Sequence, residues 1–520
     1  MLVGGLAVLA LCLPAGVAVA APGDLDPTFG NGGKALIDLG GSEEPSDLLA
    51  QSDGKVIVTG SSGGNLIAAR VLVPQGTLDP SYGGGLGFSS ADLGGTERYG
   101  AGALQPDGKI ILAGTTYFVD DDYGIARLLN PQGTFDSGFS GNGIEVAGGA
   151  GSEGATAVTL QPDGRIVFAG FEGSGPAGQD WLVGRLLNPQ GSPDSSFGTG
   201  GFVTLNMSGT ADIAYDVLVQ PDGKVLVAGQ GGRDEGQGGG FGVIARRLPG
   251  GNSDDGFANS GDRRGLGLSV FDMALQPDGK IVAAGYDGSF QVSRLLPSGA
   301  LDESFGGDGT TGTADFDLAS AIIVQPDGKV IAAGGAGPGI GVARFQPNGL
   351  LDSTFGNNGK VTLDFGVEFG MGGGAGLVLQ PDGKIILAGN VLGNIALARL
   401  DGDPPGDVAG KCRGKKATIV GTNGKEKLKG TNKKDVVSAG GGKDTVKGLK
   451  GNDLICGGKG PDKLIGGPGK DTMLGEKGKD KLFGGPKKDK LLGGAAKDLI
   501  VGGGGPDKIN GGPGEDTERQ

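Results

Sequence analysis

The hydrophobic positions of the chain fall into short runs that return at a regular interval. In the first unit, apolar segments at 34–39, 47–51, 55–60 and 66–73 are each bounded by Gly, Pro or Asp. Short runs rich in β-branched residues and bounded by turn residues are typical of strands. The Asp-Gly dipeptide between the second and third segments supplies the positive φ of a two-residue hairpin turn. The pattern therefore predicts a four-stranded meander as the unit.

Three markers indicate that this unit occurs seven times. The first is the turn Gln-(Ser/Pro)-Asp-Gly-(Lys/Arg), with its aspartate at Asp53, Asp107, Asp163, Asp222, Asp278, Asp327 and Asp382. The second is Asp-x-x-(Phe/Tyr), which begins at Asp26, Asp79, Asp136, Asp194, Asp254, Asp302 and Asp352. The third is an arginine within an apolar run, at Arg70, Arg127, Arg185, Arg246, Arg294, Arg344 and Arg399. Since one sheet cannot bury both faces and seven packed radially can, residues 24–401 are predicted to form a seven-bladed β-propeller.

The segments LDPTFG at 25–30 and QPDGK at 105–109 resemble the delta-60 repeat family, a bacterial exported class regarded as propeller-like. The resemblance covers residues 24–401 and implies a fold and a surface location, with no catalytic residues. The fifth marker, SDDGFAN at 253–259, departs from the pattern, so the sequence does not define the exact boundaries of the blades.

The repeated polar residues have two interpretations. The seven arginines form either a ring around the central channel that captures an anion, or structural ion pairs with the repeated aspartates; we favour the ion pairs. The aspartates are expected to accept backbone N–H groups in their turns. The repeated Phe and Tyr side chains are expected to pack between blades.

After a predicted linker at 402–420, the pattern changes to a period of nine that continues from 421 to 519. An acid recurs at Glu426, Asp435, Asp444, Asp453, Asp462, Asp471, Asp480, Asp489, Asp498, Asp507 and Asp516. An apolar residue follows two positions later in ten of the eleven copies, and Glu518 replaces it in the last. Segments 457–465, 466–474 and 502–510 match G-G-x-G-x-D-x-U-x and resemble the nonapeptides of RTX proteins, which wind a parallel β-roll around calcium. The predicted fold class is thus all-β, a seven-bladed β-propeller followed by a parallel β-roll.

The RTX resemblance implies calcium as the cofactor, held by carboxylates and backbone carbonyls of stacked turns. Two nonapeptides complete one coil, so acids eighteen residues apart share one side. The candidate metal ligands are Asp444, Asp453, Asp462, Asp471, Asp480, Asp507 and Asp516. The preferred pairs are Asp444 with Asp462, Asp453 with Asp471, and Asp462 with Asp480. The alternative is a metal-free solenoid in which each aspartate caps a turn.

Several nonapeptides depart from the pattern in ways that weaken calcium binding. Lysine directly precedes the acid at Lys434, Lys443, Lys470, Lys479, Lys488 and Lys497, and its charge repels a cation. Lys433, Lys487 and Ala496 replace the fourth-position glycine of copies two, eight and nine. We therefore expect a few calcium ions near residues 444–480, and not one per repeat.

Composition narrows the functional classes. Glycine makes up 116 of 520 residues, and histidine is absent. The absence of histidine excludes Ser-His-Asp and Cys-His catalysis and imidazole metal sites. We predict a non-enzymatic binding and scaffolding protein. The alternatives are a propeller lyase or dehydrogenase with structural calcium and a surface adhesin or matrix protein. A non-repeated polar cluster in the channel would favour an enzyme, and the sequence does not reveal one.

Charge differs between the two parts of the chain. Residues 411–520 carry 22 Lys and 2 Arg against 14 acids, a net charge of +10. Because the whole chain has a net charge of −14, residues 1–410 carry −24. An acidic front part disfavours nucleic acid as a partner. The basic tail fits a cell-envelope polyanion or carbohydrate, or docking on the acidic part.

The N-terminus and the cysteines indicate an exported protein. Residues 1–20 form an apolar run ending in Ala18-Val19-Ala20, which predicts a cleaved signal peptide and a secreted or cell-surface location; a retained anchor is the alternative. No later apolar run reaches the length of a membrane span. Cys412 and Cys456 are predicted to form a disulfide, and two buried free thiols are the alternative.

Overall fold

We describe a computed structural model of the chain. It describes residues 21–118, 121–147, 151–173, 178–207, 212–233, 240–258, 260–264, 266, 268–337, 339–365, 376–402, 411–413, 415–421 and 425–519. The predicted signal peptide at 1–20 lies outside the described residues. Within them, no helix is long and apolar enough to cross a membrane.

Seven antiparallel sheets, each a blade, surround a common axis. The innermost strands of blades one to seven are Glu43–Ala50, Thr96–Leu104, Glu153–Leu160, Ile213–Val219, Ser269–Leu275, Ala321–Val324 and Gly376–Leu379. The second strands are Val56–Ser62, Ile110–Tyr117, Ile166–Glu172, Val225–Arg233, Ile281–Tyr286, Val330–Ala336 and Ile385–Val391. Each innermost strand contacts the innermost strands of both adjacent blades, so the seven line a central channel.

The two outer strands complete each blade. The third strands are Asn65–Leu72, Asp121–Leu128, Asp180–Leu186, Gly240–Arg247, Phe290–Leu295, Gly339–Phe345 and Asn394–Leu400. The outermost strands of blades one to six are Phe88–Ala91, Ile144–Ala147, Phe202–Leu205, Asp262–Arg264, Thr310–Thr313 and Lys360–Asp364. In blade one the short strand Thr77–Leu78 also pairs with the third strand, and a 3₁₀ turn follows at Gly83–Gly85.

The ring closes by pairing the two ends of the repeat region. Strand Lys34–Ile37 pairs antiparallel with Asn394–Leu400 as the outermost strand of blade seven, with Lys34 opposite Ala398. It does not belong to the meander that follows it, so the unit predicted from the sequence is offset by one strand from the structural blade. The offset has a physical reason, because a shared blade ties both ends of the ring together.

The second domain is a solenoid of two parallel sheets, each with six strands. One sheet contains Ile419–Val420, Val436–Ser438, Leu454–Lys459, Thr472–Lys477, Lys490–Ala495 and Lys508–Asn510. The other contains Lys427–Lys429, Thr445–Lys447, Lys463–Ile465, Lys481–Pro486, Leu499–Gly504 and Thr517–Arg519. The apolar residue of each nonapeptide points inward, and these residues form one continuous core that includes Ile455, Leu464 and Met473. Its first strand, Ile419–Val420, begins two residues before the predicted boundary.

A disulfide attaches a short hairpin to the solenoid. Strands Lys411–Cys412 and Lys415–Lys416 pair antiparallel. Cys412 is bonded to Cys456, and the Cα atoms of the two residues lie 5.6 Å apart. Both cysteines are buried together with Val436 and Leu454. The hairpin therefore covers the outer face of the first solenoid sheet at its N-terminal end.

Candidate functional sites

The three propeller markers meet in one charge cluster per blade. In blade one, Asp79 Oδ2 lies 2.9 Å from Arg70 Nε and 3.5 Å from Lys55 Nζ. Asp79 Oδ1 accepts the backbone N–H of Ser81 at 2.9 Å. The Arg70 guanidinium lies over the Tyr82 ring, 4.8 Å from its centroid. Each marker thus supplies one member of a buried cluster, and the aspartate links the other two.

The same cluster recurs around the ring. The arginine and the aspartate pair in Arg127–Asp136, Arg185–Asp194, Arg246–Asp254, Arg294–Asp302, Arg344–Asp352 and Arg399–Asp26. The last pair joins the two ends of the ring. Its aspartate is buried, which raises the pKa, but hydrogen bonds from Lys384 and Thr28 outweigh burial and lower the pKa of Asp26 to about 2.

These contacts distinguish the two interpretations of the arginines. All seven lie on third strands, away from the channel, and all are buried. In blades three to five the arginine also donates to a carbonyl of the following blade, as Arg246 does to Pro297 at 2.6 Å. The arginines are structural ion pairs, and the interpretation as an anion-capturing ring is wrong.

Three aspartates that the sequence analysis missed face the channel. Asp47, Asp216 and Asp272 lie on the innermost strands of blades one, four and five. Each stands six residues before the aspartate of its Asp-Gly turn, where the other blades have Ala101, Ala157, Ala321 and Gly376. Aligning the seven turns would have exposed this difference. The channel therefore holds a non-repeated acidic set, contrary to the expectation from sequence.

Two of the channel aspartates, Asp216 and Asp272, connect adjacent blades. Asp216 Oδ2 accepts the backbone N–H of Met273 at 2.9 Å, and Asp272 Oδ2 accepts that of Ile322 at 2.7 Å. Burial, with a smaller contribution from the charge of Asp216, raises the pKa of Asp47 to about 7. Burial raises the pKa of Asp216 to about 6. Asp47 and Asp216 lie in blades on opposite sides of the ring, so their repulsion acts across the channel.

In the solenoid, the aspartates stack in two columns. The backbone N–H of each acid donates to Oδ1 of the acid one coil later, as Asp444 does to Asp462, Asp453 to Asp471 and Asp462 to Asp480, each at 2.8 Å. The three preferred pairs are therefore neighbours. Asp489 and Asp498, which are absent from the candidate set, make the same contacts with Asp507 and Asp516. Asp507 and Asp516 are the less buried members, at the C-terminal end of the solenoid.

In seven of the stacked aspartates, the second carboxylate oxygen is buried without a protein partner among the described residues. Oδ2 has no hydrogen-bond donor among the described residues in Asp444, Asp453, Asp462, Asp471, Asp480, Asp489 and Asp498. A buried carboxylate oxygen without a partner is strongly unfavourable, and a cation relieves it. The arrangement fits a hard divalent cation better than it fits a turn cap, which needs one oxygen.

Glycines create the space around these oxygens. A Cβ atom placed on Gly457 would lie 2.7 Å from Asp462 Oδ2 and 2.9 Å from the Gly475 carbonyl oxygen. A carboxylate and a carbonyl from successive coils therefore converge beside the same glycine. Among the described residues, no three His, Cys, Asp or Glu side chains form a metal cluster. Calcium would thus be held by paired aspartates together with backbone carbonyls, the oxygen ligands that it prefers.

The electrostatics are least favourable in the middle of the columns. Burial, followed by the charge of the acid one coil earlier, raises the pKa of Asp462, Asp471 and Asp480 to about 7. The pKa values of Asp444, Asp453, Asp489 and Asp498 are also raised, mainly by burial. The central aspartates are those that would gain most from a bound cation.

The departures from the glycine pattern have a backbone consequence. Lys487 and Ala496 at the fourth position both have φ of 91°, a conformation that favours glycine. Leu449 and Glu476 at the second position, which the sequence analysis did not single out, have φ of 75° and 73°. These four residues carry backbone strain within the turns of copies four, seven, eight and nine.

Comparison with known proteins agrees with this division of the chain. Residues 105–139, 161–197, 276–305, 325–355 and 380–403 match the family model of the domain of unknown function DUF5122, a beta-propeller. Residues 420–455, 457–491 and 483–518 match the RTX calcium-binding nonapeptide repeat. No curated protein matches the sequence.

Solved structures match the chain at low identity and low TM-score. Virginiamycin B lyase from Staphylococcus aureus matches at 11% identity and a TM-score of 0.42, over 70% of this chain and 98% of the lyase. A protein of unknown function from Dyadobacter fermentans matches at 13% identity and a TM-score of 0.33, over 71% of this chain and 98% of its own. Neither similarity assigns an activity to this chain.

Proposed function

Because the chain joins a DUF5122 beta-propeller to RTX calcium-binding nonapeptide repeats, we propose that it is an exported, non-enzymatic calcium-binding protein of the cell exterior. The propeller serves as a binding scaffold, and calcium folds and stabilises the solenoid. The principal support is the set of seven buried aspartate oxygens without a donor. Calcium supplies the positive charge that these oxygens and their raised pKa values require.

The acidic columns explain why the metal would control folding of the solenoid. Without the cation, stacked carboxylates repel one another, and seven of those described leave one oxygen unsatisfied. In the described part of the propeller, the repeated aspartates are instead neutralised by arginine and lysine. Calcium should therefore act on residues 421–519 and leave the propeller unchanged.

Limited proteolysis and circular dichroism of the full chain, with calcium or with a chelator, test this proposal. We expect calcium to increase the β signal and to protect residues 421–519 from cleavage, while cleavage of the propeller does not change. Unchanged signals in the solenoid would instead support the metal-free alternative.

A pair of glycine variants separates the metal site from general stability. G457A places a methyl group against Asp462 Oδ2 and the Gly475 carbonyl, whereas the nearest atom to a Cβ on Gly504 lies 3.7 Å away. G457A should shift the calcium midpoint of folding upward by about tenfold or more. G504A, the matched control, should leave it within about twofold.

The enzyme alternative depends on the channel aspartates. The carboxylates of Asp216 and Asp272 accept backbone N–H groups of their own and the next blade, which supports a role in holding blades together. A turnover reaction of the purified protein that D216N abolishes without changing its melting temperature would overturn the non-enzymatic proposal. Export is tested separately, by finding a chain that begins at Ala21 in the culture medium.

A further inference from the structure

One outer face of the solenoid carries lysines and no acid. In strands such as Lys463–Ile465 the middle residue points into the core, so the first and third residues point outward. We define the basic strip as the exposed outward lysines Lys427, Lys429, Lys447, Lys463 and Lys481. The other outward residues of this sheet are Thr445, Ile465, Phe483, Leu499, Val501, Thr517 and Arg519.

Among the described residues, no acidic side chain forms a salt bridge with a lysine of the basic strip. Lys463 and Lys481 lie directly opposite each other on adjacent parallel strands. Adjacent strands are about 4.8 Å apart, and like charges in direct register are destabilising. A salt bridge elsewhere in the described part of the solenoid joins Lys497 to Glu515 in the turns, at 3.6 Å, and does not involve the strip. The strip therefore presents two pairs of lysines in register, Lys429 with Lys447 and Lys463 with Lys481, without a salt bridge among the described residues.

An apolar column runs beside these lysines. The third strand residue, which points outward, is Ile465, Phe483 or Val501 on three consecutive strands. These three residues are in register and half-buried. Lys463 Nζ lies 5.5 Å from the centroid of the Phe483 ring. The face thus places lysines beside an apolar surface. This combination suits a polymer that carries both anionic groups and apolar surface.

The opposite sheet offers a smaller face of this kind, since Leu474 and Leu492 lie in register beside Lys490 but the hairpin covers the N-terminal part of the sheet. There Val436, Leu454 and Cys456 are buried beneath the hairpin that the disulfide attaches. Lys490 and Lys508 are exposed and in register farther along. They provide a matched comparison, since they hold the same position in the nonapeptide as Lys463 and Lys481.

We propose that the basic strip and the apolar column bind a linear acidic polysaccharide. The carboxylates of the polymer pair with the lysines, and the C–H faces of its sugar rings pack on Ile465, Phe483 and Val501. A row of phosphates would satisfy the lysines and leave the apolar column uncovered. This inference rests on the proposed function, because the strip exists only when the solenoid is folded.

Calcium and the polymer should bind cooperatively. The solenoid region, residues 411–520, already carries +10, and every bound calcium adds two positive charges. The increased charge strengthens attraction of a polyanion, and by linkage the polymer raises the affinity for calcium by the same factor. The binding should weaken steeply as salt rises, since it releases counterions.

The test uses the full chain with calcium and a glucuronate-containing oligosaccharide, followed by calorimetry or fluorescence anisotropy. A neutral oligosaccharide of equal length and polyphosphate serve as further probes. K463Q/K481Q should weaken glucuronate binding about tenfold and reduce its salt dependence. F483S should weaken glucuronate binding about threefold or more and leave polyphosphate binding unchanged. K490Q/K508Q removes the same charge from the other sheet and should change affinity less than about twofold.

Circular dichroism of each variant with calcium shows whether the solenoid folds. Equal weakening by the two lysine pairs would overturn the assignment to this face, because net charge would explain it. Tighter binding of polyphosphate than of glucuronate would overturn the polysaccharide assignment. Calcium-induced folding without any glucuronate binding would overturn this inference alone, whereas absence of calcium-induced folding would overturn the proposed function.

Discussion

At the scale of single residues, the repeated aspartate organises each blade. One oxygen closes its own turn and the other binds an arginine and a lysine that come from two different hairpins. Burial alone would raise the pKa of such a carboxyl, yet the pKa of Asp302 is lowered, because Ser304, Lys280 and Arg294 stabilise the charged form. Both carboxylate oxygens of the aspartate are therefore occupied by contacts within the blade. The aspartate stabilises the fold and does not bind a ligand.

Breaking one buried pair should destabilise the propeller. In R294Q, Asp302 keeps Lys280 at 3.1 Å but loses its buried guanidinium partner at 2.8 Å. We expect the free energy of unfolding to fall by about 3 kcal/mol, measured as a lower melting temperature of the calcium-independent transition. R98Q is the control, since Arg98 is exposed and 3.9 Å from Asp121, and it should have almost no effect. A normal melting temperature for R294Q would refute the structural role.

The channel aspartates predict a pH dependence of opposite sign to that of the repeated aspartates. Their folded pKa values lie above the unfolded value of 3.8, at about 7 for Asp47 and about 6 for Asp216. The stability that they contribute is complete below pH 3.8, the unfolded pKa, and is lost as the pH rises through the folded pKa values toward 7. Asp26, lowered to about 2, contributes above pH 3.8 and loses its contribution in stronger acid. The melting temperature of the propeller should therefore fall between pH 5 and pH 8.

The variant D47N isolates this effect. An amide cannot ionise, so the decline of the melting temperature above pH 5 should become smaller, and the gain at pH 8 should reach about 2 °C or more. D38N changes an exposed acid of the same N-terminal segment and should retain the wild-type profile. An identical decline in D47N would remove Asp47 as a cause.

At the scale of elements, a nonapeptide is a short strand and a glycine-rich turn, and in most of the described copies the fourth residue of the turn has positive φ. Gly460 at the fourth position has φ of 111°, and Lys487 and Ala496 adopt similar values without being glycine. The coil geometry is therefore imposed by neighbouring coils and not by local preference. Copies eight and nine keep the stacked aspartates despite the substitutions, at the expense of strain.

Restoring glycine should relieve that strain. K487G/A496G is expected to stabilise the calcium-loaded solenoid by about 1 kcal/mol, because the relief of positive φ exceeds the added freedom of the unfolded chain. The measurement is the calcium-dependent melting transition. K488G removes a neighbouring lysine that has no positive φ and should stabilise nothing. If K488G has an effect equal to that of K487G/A496G, charge and not strain is responsible.

At the scale of the whole molecule, the propeller is closed by contacts between the ends of its repeat region. Lys34–Ile37 completes blade seven, and Asp26 accepts from Arg399 at 2.8 Å and from Lys384 at 2.9 Å. The N-terminal segment thus supplies to the last blade both the outer strand and the acid that the other blades take from the next segment of the chain. Loss of this segment should open the ring at one place.

The variant D26N tests closure. It leaves Arg399 and Lys384 without their shared carboxylate, so amide hydrogen exchange should rise in Lys34–Ile37 and Asn394–Leu400 before it rises in other blades. The melting temperature should fall as it does for R294Q. Unchanged exchange in these two strands would contradict closure through Asp26.

The sequence by itself determined the number of blades, the solenoid and the positions of the stacked acids. This was possible because local periods encode these features. Each meander has one turn marker, and nearly every nonapeptide has one acid and one apolar residue at fixed positions. The Arg–Asp partnership was also predictable in kind, since a buried arginine requires an acid. These features depend on near neighbours along the chain or on strict repetition.

Only the tertiary structure decided how distant segments pair. Two features join residues that lie far apart in sequence. They are the assignment of Lys34–Ile37 to blade seven and the convergence of Asp47, Asp216 and Asp272 on the channel. No local period specifies such contacts, because they arise when the ring and the coils close. The buried Oδ2 atoms also became visible only there, since burial is a property of the packed coil and not of the repeat.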